Sequence, residues 1–428
     1  MIMDSWEQSR LTRDEVKERR EVAHRVHDTL SEHERYADCK LVIFGSSANG
    51  LASDEGDLDL NLECNELNII LGMYDQRTRR RHIRSHIDRI ANLLRQDGFA
   101  NVVPISRARV PLVKFLDPCT HIECDLTITN RIAQRKTQLL AAYVKADPRV
   151  GPLLFAVKRW AKARKINDAA AQGGSTINSY THTLMMLAYL QRAKVIPLLQ
   201  YICCAGPPAS TYTRMYEAMY DNIDDSPENR LMKGLVRRMM ELSMNEDSSN
   251  SSSNGSNGTH PAYADGQTLT NAYPQRVCRV CKTPLPSHVV EGCETYFYTG
   301  AVPPSPNKQD VSQLLIGFFR FYALVFKANE ECVSPRLGGM VLRSAKRWEH
   351  QAGSAVARRN GELPAFCVED LFELLHNCAG SAQPTFWPGL RWEYERALRA
   401  LLFVDDVDEM YRQWKKMPAA AYGALGIW

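Results

Sequence analysis

The chain has 428 residues, of which 44% are hydrophobic and 24% charged, and 53 basic against 49 acidic side chains leave a net charge of +4. This composition excludes wholly disordered, collagen-like and fibrous proteins, and the length predicts two to four domains with large cores. Because the charge is nearly balanced, any contact with nucleic acid is expected from a local basic patch.

Neither a membrane span nor a secretory signal is predicted. The most apolar window, 314–326, is interrupted by Arg320 and falls short of the roughly 20 residues that a spanning helix needs. The first thirty residues carry charges of both signs and lack the apolar region of a signal peptide. The 12 cysteines are therefore expected to be free thiols in a reducing compartment.

The first 130 residues predict helices and strands together. Val22, Val26 and Leu30 have helical spacing and favour an amphipathic helix over 14–36. A second helix is predicted over 81–99, ending at Gly98. Short apolar or alternating runs predict four strands, at 41–47, 57–63, 110–117 and 121–129.

The rest of the chain predicts helices on either side of an insertion. Residues 133–200 are helical by period, and helical periodicity resumes at Val311 and continues to the end. The stretch 203–310 is rich in Pro, Cys and Arg. Within it, the tract 248–258 consists of Ser, Asn and Gly alone, so disorder is predicted over 243–262.

Paired carboxylates give the strongest chemical signal. Asp57 and Asp59 are two residues apart on a predicted strand and therefore point to one face. Two such acids repel each other unless a cation lies between them, and oxygen ligands favour Mg²⁺ or Mn²⁺. A third acid on a neighbouring strand would complete a two-metal site, and both Asp125 and Glu123 qualify.

A glycine turn precedes these acids. Gly45, Ser46 and Ser47 follow the first predicted strand, where backbone N–H groups can approach a phosphate. Acids on a strand are by themselves equally compatible with a solvated surface. Combined with the turn and the later strand acid, they favour a catalytic site.

These motifs resemble the DNA-polymerase-β-type nucleotidyltransferases, and among them the noncanonical poly(A) polymerases and terminal uridylyltransferases. The insertion is further similar to that of the kinetoplastid uridylyltransferases of mitochondrial RNA editing. Beyond the acids, the resemblance rests on the segments RVPLVKF (109–115), CDLTITN (124–130), DPRVGPLLFAVKRWAKARKIND (147–168), NSYTHTLMMLAYLQ (178–191), LLIGFFRFYA (314–323) and VEDLFELLHN (368–377).

The resemblance implies a two-lobed α+β fold and selects Asp125 as the third catalytic acid. A mixed-sheet catalytic domain is assigned to 31–140. A helical nucleotide-recognition domain is assigned to 1–30, 141–202 and 311–428, with 203–310 inserted. UTP would bind in the cleft between the lobes.

Several side chains of the helical domain are predicted to hold the nucleotide. Lys158 and Lys162 are i,i+4 neighbours on one helix face and suit a triphosphate, although a solvated basic face is the alternative. Asn178 or Ser179 would cap the next helix. By resemblance, Tyr180 stacks on the base and Ser179 lies beside the nucleotide; a core tyrosine is the alternative.

Choice of base is assigned to residues 368–377. A helix there would place Asp370, Glu373 and His376 on one polar stripe. The resemblance implies that the acids hold the base edge and that His376 disfavours adenine. The alternative is an ordinary acidic helix N-terminus.

The sequence departs from the family at the ribose contact. Lys136 and Thr137 stand where the family has Asn-Thr, so either Lys136 or Asn130 becomes the candidate ribose donor. Arg107 and Arg109 are candidates for guiding RNA. A further cluster suits RNA and surface charge equally: Arg77, Arg79, Arg80 and Arg81.

A group in the insertion resembles a zinc knuckle. Its residues are Cys278, Cys281, His288 and Cys293, with reduced thiols as the alternative. Cys203 and Cys204 are adjacent and are predicted to pack as small apolar residues.

Together these features predict an enzyme that adds UMP from UTP to the 3′ end of single-stranded RNA. Alternatives are a poly(A) polymerase that uses ATP, a catalytically inactive RNA-binding scaffold, and transfer to a small molecule. The resemblance implies an RNA-processing or editing complex in the mitochondrion, with the cytoplasm as the alternative and no membrane partner.

Overall fold

The computed structural model describes residues 2–53, 56–72, 74–167, 176–203, 276–346, 365–380, 382, 386–404 and 407–412. The chain divides into two compact units, residues 4–145 and residues 146–428 together with 1–3. The tract predicted to be disordered, 243–262, lies outside the described residues. None of the described helices is long and apolar enough to cross a lipid bilayer.

A five-stranded mixed sheet forms the centre of the 4–145 unit. Its order is β1-β2-β5-β4-β3, with β2 and β5 parallel and the other neighbours antiparallel. Its strands are β1 Lys40–Phe44, β2 Leu58–Glu63, β3 Ala100–Ile105, β4 Leu112–Leu116 and β5 Glu123–Ile128. The four predicted strands are confirmed. Pro104 accompanies the additional strand β3, which lies at the sheet edge where a missing N–H is tolerated.

The helices between residues 2 and 146 are α1 Ile2–Ser9, α2 Arg13–Ser31, α3 Ser46–Asn49, α4 Asn65–Gly72, α5 Gln76–Gln96 and α6 Arg131–Ala146. Of these, α2 and α5 pack against the sheet through buried apolar side chains. Thr12 and Glu15 form a capping box that starts α2, and Val22, Val26 and Leu30 are buried as predicted. Because α2 packs on α5 and β1, residues 4–30 of the segment 1–30, assigned from sequence to the helical domain, lie in the 4–145 unit.

A disulfide joins Cys39 and Cys64, so the prediction that every cysteine is a free thiol is wrong for this pair. The sheet register gives the reason. Lys40 lies opposite Glu63 in the β1–β2 ladder, and the next residue outward on each strand is one of these cysteines. Their Cα atoms are 4.4 Å apart, within the range that a disulfide spans.

The second unit is mainly helical, as predicted, but it also contains small sheets. Its helices are α7 Val150–Ala163, α8 Ser179–Arg192, α9 Val311–Arg320, α10 Arg343–Lys346, α11 Phe386–Arg399 and α12 Val407–Tyr411. Its strands are β6 Val289–Val290, β7 Cys293–Glu294, β8 Glu331–Ser334, β9 Gly339–Leu342 and β10 Cys367–Val368. The prediction of unbroken helix after Val311 is therefore wrong at β8, β9 and β10, which form one three-stranded sheet.

Aromatic rings fill the core between these helices. Trp160 of α7 stacks on Tyr394 of α11 and meets Phe319 of α9 edge to face. All three side chains are fully buried. The core thus fixes the helices that carry the predicted nucleotide residues of this unit.

Candidate active site

The sheet register brings two of the predicted carboxylates side by side. Asp59 on β2 is the direct partner of Asp125 on β5, and in a parallel pair such partners point to the same face. Asp57 immediately precedes β2, two residues before Asp59. The three predicted catalytic acids therefore gather at one end of one sheet face.

Asp125 lies in a largely buried setting with one close cationic partner. Lys114 is opposite it in the β4–β5 ladder, and the lysine Nζ is 2.9 and 2.8 Å from the two carboxylate oxygens. Burial raises the pKa of Asp125, Lys114 offsets part of that rise, and the charges of Asp57 and Glu123 raise it further. Like charge thus accumulates here, and a divalent ion with oxygen ligands fits the donor set.

Between the two candidates for the third acid, the register favours Asp125. Glu123 begins β5 on the same strand face, but its side chain is exposed and its ladder partner on β4 is Leu116. Asp125 instead lies between Asp59 and Lys114 in the sheet. The role of each acid as a metal ligand stays a prediction.

Gly45 is required by the close approach of the turn to Asp59. Its φ is +66°, and a Cβ at this position would lie 1.8 Å from Asp59 Oδ2. Its backbone N–H donates to Thr137 Oγ1 at 3.0 Å. The amide predicted to approach a phosphate is thus bound by Thr137, which ties α6 to the turn.

Arg19 holds the segment that leads into Asp57. Its buried guanidinium donates to the carbonyl oxygens of Ser53, Gly56 and Asp57, and to Ser47 Oγ at 3.2 Å. The sequence prediction missed this residue, although a signal existed. Arg19 occupies the apolar stripe of α2, three residues before Val22, where an arginine needs buried partners.

The ribose and RNA candidates lie in the same unit. Lys136 is half-buried on α6, and Asn130 Oδ1 accepts the N–H of Ala133 at the start of that helix. Arg107 and Arg109 are exposed, as an RNA contact requires. A cavity of about 560 Å³ borders this region, lined by Arg84, Asp88, Pro104, Ile105, Ser106 and Arg107.

In the second unit, Tyr180 is tied to Asp370. Asn178 caps α8 by accepting the N–H of Thr181 at 2.8 Å, which confirms one of the two predicted caps. Tyr180 follows on the first turn, partly exposed, and its hydroxyl donates to Asp370 Oδ2 at 3.3 Å. Burial and the charge of Asp370 raise the pKa of Tyr180, so its hydroxyl stays protonated.

The helix predicted over 368–377 is wrong. The segment is a turn after the short strand β10, and Asp370 Oδ1 accepts the backbone N–H groups of Phe372 and Glu373 at 3.0 and 3.1 Å. Glu373 O then accepts the N–H of His376 at 2.9 Å. Hydrogen bonds from nearby backbone N–H groups to an aspartate side chain compete with the hydrogen bonds of a helix, which explains why the segment is not helical.

The turn changes the roles available to these residues. Asp370 is fully buried, and one of its oxygens, Oδ2, also accepts from Cys378 Sγ; its contact with a base stays a prediction. Glu373 and His376 are partly exposed, and Leu375 between them is 45% exposed. The polar pair nevertheless lies in the loop that holds Tyr180.

The two predicted phosphate lysines are on one helix, as expected. Lys158 is partly buried and Lys162 exposed on α7, whose opposite face carries the buried Trp160. Ser179 begins α8 and its hydroxyl accepts from Asn167 at 3.2 Å. Their contact with a nucleotide stays a prediction.

Only part of the predicted zinc group comes together. Cys278 and Cys281 lie close to each other, but His288 Nδ1 contacts Thr295 Oγ1 at 2.6 Å, and neither His288 nor Cys293 joins the cysteine cluster. Cys203 joins it instead, so the prediction that Cys203 packs merely as an apolar residue is wrong.

Two family models match the chain. A model of the central palm domain of mitochondrial-like poly(A) RNA polymerase matches residues 1–145. A model of the Cid1 family poly A polymerase matches residues 310–376. The first covers the unit with the acids, and the second ends at His376.

Of two similar proteins, one matches nearly the whole chain and the other less than half of it. Poly(A) RNA polymerase cid11 of Schizosaccharomyces pombe is 26% identical over 91% of this chain, which spans 59% of that protein. Human terminal uridylyltransferase 7 is 35% identical over 44% of this chain and 12% of its own length. The chain thus spans less than two thirds of these relatives.

Solved structures share the fold. One of a cytoplasmic RNA terminal U-transferase has a TM-score of 0.62 at 23% identity and covers 97% of both chains. One of Cid1 with its short product ApU has a TM-score of 0.63 at 22% identity, covering 96% of this chain and 97% of that one. The likeness confirms the predicted α+β fold with a mixed sheet and a helical part. In its family matches and its ordered motifs, the chain is thus similar to the noncanonical poly(A) polymerases and terminal uridylyltransferases.

Proposed function

We propose that this chain is an RNA 3′-terminal uridylyltransferase, which joins UMP from UTP to the 3′-hydroxyl of single-stranded RNA and releases pyrophosphate. The observation that carries the proposal is the register of β2 and β5, which sets Asp59 beside Asp125 with Asp57 two residues away. Three clustered carboxylates are the ligands that two-metal nucleotidyl transfer requires.

In this proposal, Asp57, Asp59 and Asp125 hold Mg²⁺ or Mn²⁺. When bound, the ions neutralise phosphate charge and make the RNA 3′-hydroxyl a better nucleophile. Similar folds have been solved with Mg-bound nucleotides, which supports a divalent cofactor. Gly45 and Arg19 keep the turn and the preceding loop in position around the carboxylates.

The transfer replaces one phosphate ester bond with another. The RNA 3′-oxygen attacks the α-phosphorus of UTP, a new phosphodiester forms, and the bond to the β-phosphate breaks so that pyrophosphate leaves. The proton of the 3′-hydroxyl passes towards the Asp125 carboxylate, whose pKa is raised by burial and by neighbouring acids. Lys114 keeps that carboxylate oriented.

The helical unit supplies nucleotide recognition. Lys158 and Lys162 contact the triphosphate, and Tyr180 stacks on the base, which contributes about 1–3 kcal/mol without choosing it. Glu373 and His376 provide polar groups in the loop tied to Tyr180 through Asp370. A fixed polar group rejects the wrong base because it would be left buried and unpaired.

ATP is the second candidate nucleotide, since the relative that matches 91% of the chain is a poly(A) RNA polymerase. Primer extension with each ribonucleotide alone decides between them. We expect UTP to be used more efficiently than ATP by about tenfold or more, the discrimination expected of one buried hydrogen bond. Preference for ATP would overturn the uridylyl assignment while leaving the carboxylate site intact.

A variant in the 368–377 loop makes that test more specific. His376→Asn is expected to narrow the ratio of UTP to ATP incorporation, while His288→Asn, a histidine outside the loop, leaves the ratio unchanged. An unchanged ratio in His376→Asn would remove His376 from base selection. Residence in the mitochondrion and membership of an RNA-editing complex stay predictions.

A further inference from the structure

Three cysteine sulfurs converge in the helical unit, and none of these cysteines is among the residues assigned to nucleotide binding. The Sγ atoms of Cys203, Cys278 and Cys281 all lie within 4.8 Å of one another. Cys203 Sγ and Cys281 Sγ are 3.4 Å apart. Cys278 is buried, Cys203 half-buried and Cys281 exposed, so the group is open to solvent on one side.

The Cys278–Cys281 segment is a tight turn that aims both sulfurs to one side. The backbone N–H of Cys281 donates to Cys278 Sγ at 3.5 Å, and the N–H of Lys282 donates to Cys278 O at 2.9 Å. Lys282 closes the turn with a φ of +62°. The N–H of Cys278 in turn donates to Thr283 O at 2.7 Å. The turn thus holds the two cysteines with their sulfurs close together.

Cys203 is brought to this turn by backbone contacts. The N–H of Arg279, inside the turn, donates to Tyr201 O at 2.9 Å. Tyr296 donates from its hydroxyl to Ile202 O at 3.0 Å. The residues before Cys203 are thus fixed against the turn and its flank, although Cys203 is 75 positions before Cys278 in the sequence.

The spacing of the sulfurs suits a tetrahedral zinc ion. With Zn–S bonds of about 2.3 Å, neighbouring sulfurs of such a site are about 3.8 Å apart. One pair of the described sulfurs is 3.4 Å apart and all three lie within 4.8 Å of one another, so small adjustments would reach that spacing. Three cysteines also cannot all be paired in disulfides with one another, whereas one zinc ion takes all three.

We propose that Cys203, Cys278 and Cys281 bind a zinc ion. The site replaces the sequence-predicted set, because His288 and Cys293 are not part of the cluster. The fourth position falls to a solvent molecule. The ion fastens the end of the first helical segment to the far side of the inserted residues, and a metal that closes so long a loop stabilises the folded unit.

Metal content of the purified full chain tests the proposal without depending on activity. The chain is prepared under reducing conditions with zinc in the medium, and zinc is measured by plasma mass spectrometry. We expect about one zinc per chain, since one tetrahedral site is proposed. Cys203→Ser, Cys278→Ser and Cys281→Ser should each lose most of it, while Cys293→Ser and His288→Ala should retain it.

Two outcomes overturn the proposal. One is no more than trace zinc in the parent chain, with a Cys203–Cys281 disulfide in its place by peptide mass spectrometry. The other is loss of zinc in Cys293→Ser and His288→Ala but not in Cys203→Ser, which would restore the sequence-predicted set. Where a serine variant fails to fold, cobalt substitution of the parent chain replaces it as the readout. Thiolate-to-cobalt absorption is then expected, and its absence counts against the site.

Discussion

Asp125 and Asp370 are both aspartates with little exposed surface, yet their carboxylates have different neighbours. Asp125 lies on a sheet face with Asp57 and Asp59, and its close partner is the side-chain amine of Lys114. Asp370 accepts two backbone N–H groups, the Tyr180 hydroxyl and the Cys378 thiol. The first region accumulates negative charge, and the second supplies its carboxylate with protein donors.

The two settings give the carboxylates different functions. Where like charges are held together, as at Asp57, Asp59 and Asp125, a bound cation is favoured and can take part in catalysis. Where a carboxylate is saturated with donors, it fixes the geometry of its neighbours. We therefore expect substitutions in the sheet site to abolish turnover, and those in the loop to change nucleotide affinity or stability.

The largest effect is expected for Asp59→Asn. Loss of a metal ligand should lower nucleotide incorporation by about three orders of magnitude or more, since the metal contributes several kcal/mol to the transition state. Single-nucleotide extension of a labelled RNA measures the rate. The circular dichroism spectrum should be unchanged, because the side chains have the same shape.

Glu123→Gln is the matched control for that variant. Its side chain is exposed on the same strand face as Asp125, so we expect less than about a tenfold loss, as for a screened surface charge. If Glu123→Gln inactivates the enzyme and Asp125→Asn does not, Glu123 is the third metal ligand. If Asp59→Asn keeps full activity, the carboxylate site is not catalytic.

The next largest effect is expected for Glu369, at the start of the 368–377 loop, and it concerns stability. This fully buried carboxylate pairs with Arg336 and Lys346 and accepts from the Ser334 hydroxyl. Glu369→Gln would remove the buried negative charge that Arg336 and Lys346 share, which costs about 3–5 kcal/mol of unfolding free energy. Urea unfolding at neutral pH measures the loss, and Glu330→Gln, in an exposed pair with Lys327, should change it little.

The ion pairs of Glu369 with Arg336 and Lys346 also predict how the stability of the protein depends on pH. Burial alone would raise the pKa of Glu369, but Arg336 and Lys346 outweigh it and hold the pKa below its ordinary value. The stability contributed by the Glu369 ion pairs is therefore complete above the unfolded-state pKa of about 4.3. It is lost as the pH falls through the lower pKa of the folded state. Glu369→Gln should lack that part of the acid destabilisation; an identical acid profile would contradict the assignment.

Residues on regular strands were predictable, and those fixed by tertiary contacts were not. The period of two placed Asp57 and Asp59 on one face, and the register confirmed the neighbouring Asp125. Lys114 and Arg19 escaped prediction because their partners are on other elements. The disulfide between Cys39 and Cys64 likewise depends on the β1–β2 register, which spacing along the chain does not give.

The loop at 368–377 shows why periodicity failed. Leu371 and Phe372 are buried, so the apolar spacing of a helix is present, but the same spacing serves a compact turn. The deciding feature is Asp370, whose side chain binds the N–H groups two and three residues later. Aspartates favour such turns, and that preference was the signal available in the sequence.

A smaller effect is expected for Gly45→Ala. The added Cβ would lie 1.8 Å from Asp59 Oδ2, and the backbone φ of +66° is itself strained for alanine. We expect about 1–3 kcal/mol of lost stability and at least a tenfold loss of turnover, because Asp59 must move. Gly98→Ala is the control: its φ is +87°, but nothing lies within 4 Å of the new Cβ. Gly98→Ala should lower stability without lowering activity. Equal turnover in Gly45→Ala and Gly98→Ala would show that contact between the new Cβ and Asp59 does not matter.

The smallest effects are expected for two variants that test the ring and the hydroxyl of Tyr180 separately. Tyr180→Ala removes the proposed stacking surface and should raise KM for UTP by about ten- to a hundredfold, the equivalent of about 1–3 kcal/mol. Tyr180→Phe keeps the ring and loses the 3.3 Å bond to Asp370, so a rise of less than about tenfold is expected from one hydrogen bond. Asp370→Asn should resemble Tyr180→Phe, because the carboxylate acts through the tyrosine. A far larger defect in Asp370→Asn, at unchanged thermal stability, would instead place Asp370 in direct contact with the nucleotide and remove the contrast with Asp125.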